Sequence, residues 1–362
     1  MGNKHEAWEL AQMQSLSLES KIRMTQQRIS AWYDHWEGQV YVSFSGGKDS
    51  TVLKHIVDEM YDDVPALFVN TGLEYPEIQQ FVRDIKSGKY DCFNSDVEIL
   101  RPEMRFDEVI KKYGFPVISK EIAKKIHDAN TALKSGIENS YAIRQLTGTY
   151  KDRNGEYKNF NYPQWGFMLD APFNCSHMCC DVMKKKPAKK YNKRTGKKAI
   201  IGTMASESRL RNSQWMKYGC NAFEKSNPTS QPLSFWTNQD ILHYIKNYNV
   251  PYCSVYGDIV IDEKVDGENI LEGQMNIIDY LGCHTQEDKL KTTGCDRTGC
   301  IFCMFGCHLE KEPNRFQRLK ETHPKQYKYC ISGGEMVDGK WQPSKEGLGL
   351  GKVLDYIGVK YE

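Results

Sequence analysis

The sequence predicts an α/β fold built on a parallel sheet, followed by an irregular cysteine-rich region. Short apolar runs alternate with amphipathic stretches of about 10–15 residues, the pattern of β–α–β units. A glycine-containing loop follows the first apolar run and opens a helical stretch, as strand-to-helix turns do in such folds. Past about residue 255 the alternation stops, and Gly, Cys, aromatic and basic residues dominate from Gly282 to Cys330.

The elements are predicted in three regions. Residues 1–38 form an N-terminal helical segment, because residues 6–36 carry apolar side chains at helical spacing, enough for one or two helices. Residues 39–260 form the α/β domain, and residues 261–362 the Cys-rich region. Strands are expected at Val40–Phe44, Ala66–Val69, Val97–Leu100 and Ala199–Gly202. Helices are expected at Asp49–Tyr61, Pro76–Ile85, Phe106–Tyr113 and Asn238–Tyr248, with a Lys-rich helix and then a polar loop between residues 120 and 165.

Composition bounds the class of protein. The 362 residues allow two or three domains, and 40% hydrophobic and 27% charged residues are ordinary for a soluble globular chain. The 49 basic and 47 acidic residues nearly balance, so bulk charge does not demand a polyanionic partner. No apolar run reaches the roughly 18 residues of a membrane span. The polar, acid-containing segment Met1–Glu19 resembles neither a signal nor a transit peptide, so a cytoplasmic location is expected.

The 12 cysteines are unusual for a chain expected in a reducing compartment, where metal binding or redox chemistry is favoured over disulfides. Cys295, Cys300, Cys303 and Cys307 lie within thirteen residues. A two-residue spacing lets two thiolates point at one metal or cluster. The spacing leaves open an iron–sulfur cluster and a structural Zn²⁺ site, the latter with four thiolates or with three thiolates and His308. The isolated Cys92, Cys220 and Cys253 are interpreted as small buried apolar residues.

The loop between the first strand and helix reads Ser45-Gly46-Gly47-Lys48-Asp49-Ser50-Thr51. Glycines let backbone amides approach a ligand, and a helix N-terminus supplies unpaired donors with partial positive charge. Hydroxyls and the Lys48 ammonium add further donors, so the loop suits a phosphate or pyrophosphate. Asp49 would repel a phosphate, and we expect it to face a metal ion or cap the helix. A capped turn without a ligand is the alternative.

A basic stretch runs from Lys184 to Lys198, with nine cations and no acid. It could bind a nucleic-acid backbone or neutralise nucleotide phosphates, and the alternative is a solvated helix face and turn.

The Ser45–Thr51 loop resembles the PP-loop of the ATP pyrophosphatase superfamily, the adenine nucleotide alpha hydrolases. That resemblance implies a parallel sheet with helices on both faces. It also implies binding of ATP or a related adenylyl nucleotide with chemistry at the α-phosphate. Many members adenylate a substrate and release pyrophosphate, and Mg²⁺ would assist where pyrophosphate is the leaving group.

Four further segments resemble the phosphoadenosine phosphosulfate (PAPS) reductase family, so that the matches together span residues 40–260. They are Phe68–Glu77, Cys179–Pro187, Gly202–Arg211 and Pro232–Asp240. Asn70 stands where the family usually has Asp, and Met204 where it has Arg. The chain ends Gly351–Glu362 without the Glu-Cys-Gly-Leu/Ile-His motif whose Cys attacks the sulfonyl sulfur in the reductases.

The resemblance implies a set of site residues. Those expected to bind the nucleotide are Ser43, Ser45, Gly46, Gly47, Asp49, Ser50, Thr51, Asn70, Thr71, Gly72, Glu74, Gly202, Glu207 and Ser208. Those expected to act in catalysis are Lys48, Asp49, Lys184 and Arg211. Assimilatory adenylyl sulfate reductases hold a [4Fe–4S] cluster with a Cys-Cys pair and a Cys-x-x-Cys pair. By that resemblance the ligands here are Cys180, Cys300 and Cys303. The fourth ligand could be Cys179, Cys295 or Cys307, and Cys295 ranks first because two adjacent cysteines are sterically disfavoured in one small site, although the family uses such a pair.

Three functional hypotheses follow. The favoured one is an iron–sulfur-dependent, adenylating sulfur-transfer enzyme that acts on a nucleic acid or a small acceptor. The second is a PAPS or adenylyl sulfate (APS) reductase with another nucleophile: Cys283, Cys307 or Cys330. The third is a non-catalytic sensor of nucleotide or nucleic acid. A sulfur- or electron-donor protein is an expected partner of an enzyme of this kind, a membrane is not, and oligomerisation stays open.

Overall fold

The computed structural model describes residues 3–157, 160–262 and 288–362. The chain divides into two compact units, each assembled from separate stretches. Unit 1 comprises Met1–Val69, Tyr75–Leu100 and Lys190–Thr298, and unit 2 comprises Asn70–Glu74, Arg101–Lys189 and Gly299–Glu362. The boundaries near residues 38 and 260 expected from sequence stay a prediction.

The elements follow in chain order. The α-helices of the described residues are α1 Ala7–Gln14, α2 Leu18–His35, α3 Lys48–Asp58, α4 Pro76–Lys86, α5 Phe106–Tyr113, α6 Lys120–Lys134, α7 Tyr141–Leu146, α8 Lys186–Thr195, α9 Arg209–Tyr218, α10 Asn238–Asn247, α11 Arg315–Thr322, α12 Pro324–Ile331 and α13 Leu350–Tyr356. Their strands are β1 Val40–Phe44, β2 Ala66–Val69, β3 Val97–Leu100, β4 Val117–Ile118, β5 Lys198–Ile201, β6 Asn221–Ala222, β7 Thr229–Ser230, β8 Ile259–Ile261, β9 Leu290–Thr292, β10 Met304–Phe305, β11 Glu335–Val337 and β12 Lys340–Gln342.

Unit 1 contains a six-stranded sheet in the order β3-β2-β1-β5-β7-β6. The pairs from β3 to β7 are parallel, and only β6 runs antiparallel to its neighbour β7. In β1, the side chains of Val40, Tyr41, Val42 and Phe44 are at most 3% exposed. Because successive side chains point to opposite faces, both faces of this strand are covered, as in a sheet with helices on each side. The predicted α/β fold is thereby confirmed.

The strand order also locates the place where such sheets bind ligands. β1 pairs with β2 on one side and with β5 on the other, so the connections diverge at β1 and β5. Ligands of open α/β sheets bind beyond the carboxyl ends of the strands at this topological switch point. Ser45–Gly47 follow β1 and Gly202 follows β5, which places both segments there.

Most predicted elements of unit 1 are confirmed within a few residues. Residues 6–36 form two helices; β1, β2 and β3 have the predicted bounds; α3 is shorter than expected and ends at Asp58. Helix α8 corresponds to the solvated helix face that was the alternative interpretation of the basic stretch, whereas α7, α9 and α11 to α13 were not predicted. Two of them bury few apolar residues: α9 buries only Trp215 and α12 only Cys330. Hydrophobic periodicity therefore gives little signal in these two helices.

Candidate functional site

The loop after β1 takes a shape that only glycine permits at its centre. Gly46 has φ of +71°, in the left-handed region, and a Cβ on it would lie 2.8 Å from Ile78 Cγ2. Gly47 is the N-cap of α3, which begins at Lys48. The loop thus brings its backbone directly to a helix N-terminus, where amides have no intrahelical acceptor.

The loop hydroxyls hold this backbone in place. The Ser45 amide donates to Ser50 Oγ at 3.1 Å, and the two serine hydroxyls lie 2.9 Å apart. Ser50 Oγ and Thr51 Oγ1 both donate to the Gly47 carbonyl, at 2.9 and 3.0 Å. In this structure these side chains shape the loop, and each hydroxyl can also rotate toward a ligand.

Lys48 and Asp49 form an ion pair at the first turn of α3. Lys48 Nζ lies 2.9 Å from Asp49 Oδ1, and the side chains are 3% and 22% exposed. The buried ammonium is therefore compensated, and the more exposed carboxylate lies at a helix N-terminus, where negative charge is stabilised. This pair offers an incoming phosphate a cation and a bound divalent ion a carboxylate.

The end of β5 packs against the same turn. A Cβ on Gly202 would lie 3.0 Å from the Asp49 carbonyl oxygen and 3.2 Å from Ser50 Cα. Glycine at 202 therefore has a packing reason that does not depend on a ligand. Ser43, half-buried within β1, pairs with Leu67 of β2 and Ile201 of β5.

A carboxylate between two guanidinium groups follows β5. Glu207, with a side chain 8% exposed, forms ion pairs with both Arg211 and Arg297 and accepts the Met204 amide at 2.9 Å. Burial and the charge of Arg297 lower the pKa of Arg211, while Asp49 opposes that shift. The Arg211 guanidinium therefore interacts electrostatically with the Asp49 carboxylate of the loop. Ser208 is the N-cap of α9 and accepts the Arg211 amide, so its observed role is structural.

Two residues of the site were not predicted from the sequence. The Lys48 amide donates to Tyr256 Oη at 3.0 Å, and that hydroxyl lies 2.8 Å from Thr298 Oγ1. Both are more than 200 residues from the loop along the chain, and neither lies in a recognisable motif. Only the fold brings them to it.

In unit 2, residues 70–74 form a compact turn directly after β2. The Asn70 side chain accepts the Gly72 amide at 3.0 Å, the turn that the usual Asp would also form. Glu74, 7% exposed, accepts the Thr71 amide at 2.9 Å and the Thr71 hydroxyl at 2.8 Å. The residues of this motif therefore form hydrogen bonds with one another.

The Glu74 carboxylate also faces Lys184, at 3.7 Å. Lys184 lies in a π-helical turn, Asp181–Lys185, that begins directly after Cys179 and Cys180. Although burial lowers the pKa of Lys184, the Cys300 thiol and Glu74 together outweigh burial and raise it. Lys184 therefore places a positive charge beside the cysteine pair and Cys300.

Four thiols of unit 2 interact with one another. Burial raises the pKa of Cys179, and the neighbouring Cys180, Cys300 and Cys303 raise it further. Burial likewise raises the pKa of Cys300 to about 11. The Cys300–Cys303 turn is closed by a backbone bond of 3.0 Å and held by Arg315, which donates to the Cys303 carbonyl at 2.8 Å. Two segments more than a hundred residues apart thus supply two thiols each.

The remaining cysteines of the predicted set lie differently. Cys295 belongs to unit 1, where Cys253 is a neighbouring thiol. Cys307 is 1% exposed and donates its S–H to the Met304 carbonyl at 3.0 Å. His308 packs edge-on against Trp165, with ring centroids 5.2 Å apart. Cys283 lies outside the described residues.

The four unit 2 thiols fit a metal cluster by their chemistry. Cysteine thiolates are the ordinary ligands of iron–sulfur clusters, and two of these thiols are separated by two residues. Within the described ranges no group of three His, Cys, Asp or Glu side chains already has the geometry of a metal cage.

Helix α8 carries most of the basic stretch. Its exposed positions, residues 186, 189, 190, 193 and 194, are all Lys or Arg. Lys186 pairs with Glu103 at 2.7 Å, and Arg194 pairs with Glu98.

Among the described helices, none combines the length and the apolar character that crossing a bilayer requires.

Comparisons with known proteins find similar sequences in other organisms. Two uncharacterized proteins of Methanocaldococcus jannaschii are similar to the chain. One is 33% identical over 91 residues, 24% of this chain and 21% of its own length. The other is 31% identical over 136 residues, 37% and 26% of the respective lengths. The adenosine 5′-phosphosulfate reductase of Anoxybacillus flavithermus is 22% identical over 110 residues, 30% and 46% of the lengths. The chain therefore spans less than half the length of each of these relatives.

Among solved structures, the phosphate complex of the PAPS reductase of Candida auris matches with a TM-score of 0.36 and 15% identity. The match covers 70% of this chain and 92% of that one. The model of the phosphoadenosine phosphosulfate reductase domain matches residues 39–142 and 131–304, which is more than half of the chain. The chain therefore belongs to the phosphoadenosine phosphosulfate reductase domain family, within the adenine nucleotide alpha hydrolase superfamily.

Proposed function

We propose that this protein is an adenylating sulfur-transfer enzyme that binds ATP or an adenylyl nucleotide at the Ser45–Thr51 loop. The observation that carries the proposal is the loop itself. A left-handed glycine turns the backbone into the N-terminus of α3 at the switch point of the sheet, beside the Lys48–Asp49 pair. Amides and a cation at such a place stabilise charge that develops on a phosphate.

The proposed reaction has two steps. A nucleophilic oxygen of the acceptor attacks the α-phosphorus of ATP, the bond to the β-phosphate breaks, and pyrophosphate leaves. A hydrosulfide ion then attacks the acceptor carbon that bears the adenylate, the C–S bond forms as the C–O bond to the phosphate breaks, and AMP leaves. Lys48 and the loop amides would hold the phosphates, and Asp49 would hold Mg²⁺. Arg211 would contact an anionic oxygen, and a nucleic acid or a small molecule would be the acceptor.

The cysteines support a cofactor in the same proposal. The ligands we propose for a [4Fe–4S] cluster are Cys179, Cys180, Cys300 and Cys303; in support, the last three thiols add to the effect of burial in raising the pKa of Cys179. Bound there, the cluster would supply a site for sulfur or for an electron. The chain's own contribution would be the Lys184 charge beside Cys300, which stabilises thiolate over thiol.

A second candidate is reduction of APS or PAPS, which the similarity to an APS reductase favours. Two of its candidate nucleophiles are poorly suited to attack. Cys307 and Cys330 are 1% and 0% exposed, and burial raises the pKa of Cys307 to about 12 and that of Cys330 well above its usual range. A thiol that is buried and protonated is a weak nucleophile. This candidate therefore depends on Cys283.

One assay separates the two candidates. Anaerobically prepared full-length protein is incubated either with ATP, Mg²⁺, sulfide and candidate acceptors, or with APS or PAPS and a thiol donor. We expect pyrophosphate and AMP from the first mixture, loss of both in Asp49→Asn, and no loss in the control Asp84→Asn, which alters a half-buried carboxylate of α4 that pairs with Lys89. Sulfite from the second mixture, abolished by Cys283→Ser, would establish the reductase. Tight nucleotide binding without turnover in either mixture would identify a sensor.

A further inference from the structure

The first amide of α3 is already engaged. In most helices the first four N–H groups lack an intrahelical acceptor, and these groups are the ones that bind an anion. Here the Lys48 N–H donates to the phenolic oxygen of Tyr256 at 3.0 Å. A hydroxyl oxygen of the protein thus lies where an oxygen of a bound phosphate would receive the same hydrogen bond.

Tyr256 is firmly held in this position. Its side chain is 2% exposed, and its hydroxyl lies 2.8 Å from Thr298 Oγ1. The Gly294 amide donates to the Tyr256 carbonyl at 2.8 Å, which fixes the backbone. Burial raises the pKa of Tyr256 to about 12, so the phenol is neutral at physiological pH. The Lys48 amide therefore faces a neutral acceptor.

The hydroxyl pair also lies directly against the loop backbone. A Cβ on Gly47 would be 3.2 Å from Tyr256 Oη and 3.1 Å from Thr298 Oγ1. A phosphate oxygen within hydrogen-bond distance of the Lys48 nitrogen would overlap the phenolic oxygen, because both would lie about 3 Å along the same N–H direction. The two acceptors exclude each other.

We propose that the Tyr256 hydroxyl, held by Thr298, competes with a phosphate oxygen of the nucleotide for the Lys48 amide and so lowers the affinity of the loop. This inference rests on the proposed function, in which the loop binds nucleotide phosphates. An anionic acceptor forms a stronger bond with an amide than a neutral hydroxyl does. Because the phosphate oxygen must replace the Tyr256 hydroxyl as acceptor of the Lys48 amide, nucleotide binding is weakened but not prevented.

The test is calorimetric titration of the full-length protein and its Tyr256→Phe variant with ATP and with APS. The variant removes the competing oxygen and leaves the ring, so we expect affinity about two- to tenfold tighter, the value of one hydrogen bond. Tyr252→Phe is the matched control, because its hydroxyl donates to the Gly257 carbonyl at 2.9 Å and does not contact the loop. Adenosine, which has no phosphate, should bind all three proteins equally.

A second measurement tests the contact without a nucleotide. Amide hydrogen exchange in the peptide that contains Lys48 should be faster in Tyr256→Phe than in the wild type or in Tyr252→Phe. Equal exchange, or ATP affinity that is unchanged or weaker in Tyr256→Phe, would overturn the competition and leave the proposed function standing. If no variant binds ATP or APS, both proposals are overturned.

Discussion

At the scale of single residues, the site contains side chains whose partners differ from those their motifs suggest. Glu207 and Ser208 lie in a segment that resembles a nucleotide-binding motif, yet Glu207 pairs with two arginines and Ser208 caps α9. Thr71 and Glu74 bond to each other. These contacts position the segments that carry the motifs, and their removal would act on substrate through the backbone.

The cysteine ligands give a prediction at this scale. Cys179, rather than Cys295, is expected to complete the set with Cys180, Cys300 and Cys303, because its pKa responds to all three of those thiols. Anaerobically prepared wild-type protein should contain about four irons per chain. Cys179→Ser should lose most of the iron, whereas Cys295→Ser and the control Cys92→Ser should retain it. Cys92 is exposed, so its interpretation from sequence as a buried residue was wrong.

Iron and zinc analysis by mass spectrometry would check this assignment. Retention of iron by Cys179→Ser together with its loss in Cys295→Ser would show that the fourth ligand is Cys295. Stoichiometric zinc in place of iron would show that the thiols form a structural zinc site.

At the scale of elements, the strand–loop–helix unit from β1 to α3 could be predicted from sequence almost completely. Its signals are local: an apolar run, two glycines, and a periodic helix within twenty residues. The contacts that finish the site are not local. Gly202, Tyr256 and Thr298 reach the loop only because β5 lies beside β1 and because the 254–258 and 292–298 segments bond to each other. No periodicity within one segment encodes such an approach.

The contact of β5 with α3 gives a second prediction. Gly202→Ala would place a Cβ 3.0 Å from the Asp49 carbonyl oxygen, and backbone cannot yield as a side chain can. We expect the free energy of unfolding to fall by about 1–3 kcal/mol. ATP affinity should fall as well, since the first turn of α3 must shift.

Urea denaturation of Gly202→Ala beside Gly299→Ala would check this expectation. A Cβ on Gly299 would meet no heavy atom within 4 Å, so that variant should change stability by less than about 0.5 kcal/mol. Equal stability of the two variants would show that the close approach at Gly202 does not constrain the loop.

At the scale of the whole molecule, the candidate site residues are divided between the two units. Unit 1 contains the Ser45–Thr51 loop, with its Lys48–Asp49 pair, and Glu207 with its two arginine partners. Unit 2 contains the turn at residues 70–74, Lys184 and the four neighbouring thiols described above. The Cys-rich region expected over residues 261–362 stays a prediction; among the described residues Cys295 falls in unit 1 and Cys300 in unit 2, although only four residues separate them. Spacing along a chain cannot reveal such a division, because it depends on which segments pack together.

The central claim is that an adenine nucleotide binds with its phosphates at the Ser45–Thr51 loop. The most direct test is calorimetric titration of ATP into wild-type protein and into Lys48→Met, which keeps the buried aliphatic stem and removes the charge. The exposed Lys89→Met, on a residue paired with Asp84, is the control. We expect ATP affinity at least about tenfold weaker in Lys48→Met and unchanged in Lys89→Met, because hydrogen bonds to a charged group contribute about 1.5–3 kcal/mol. Equal ATP affinity in all three proteins would contradict the central claim.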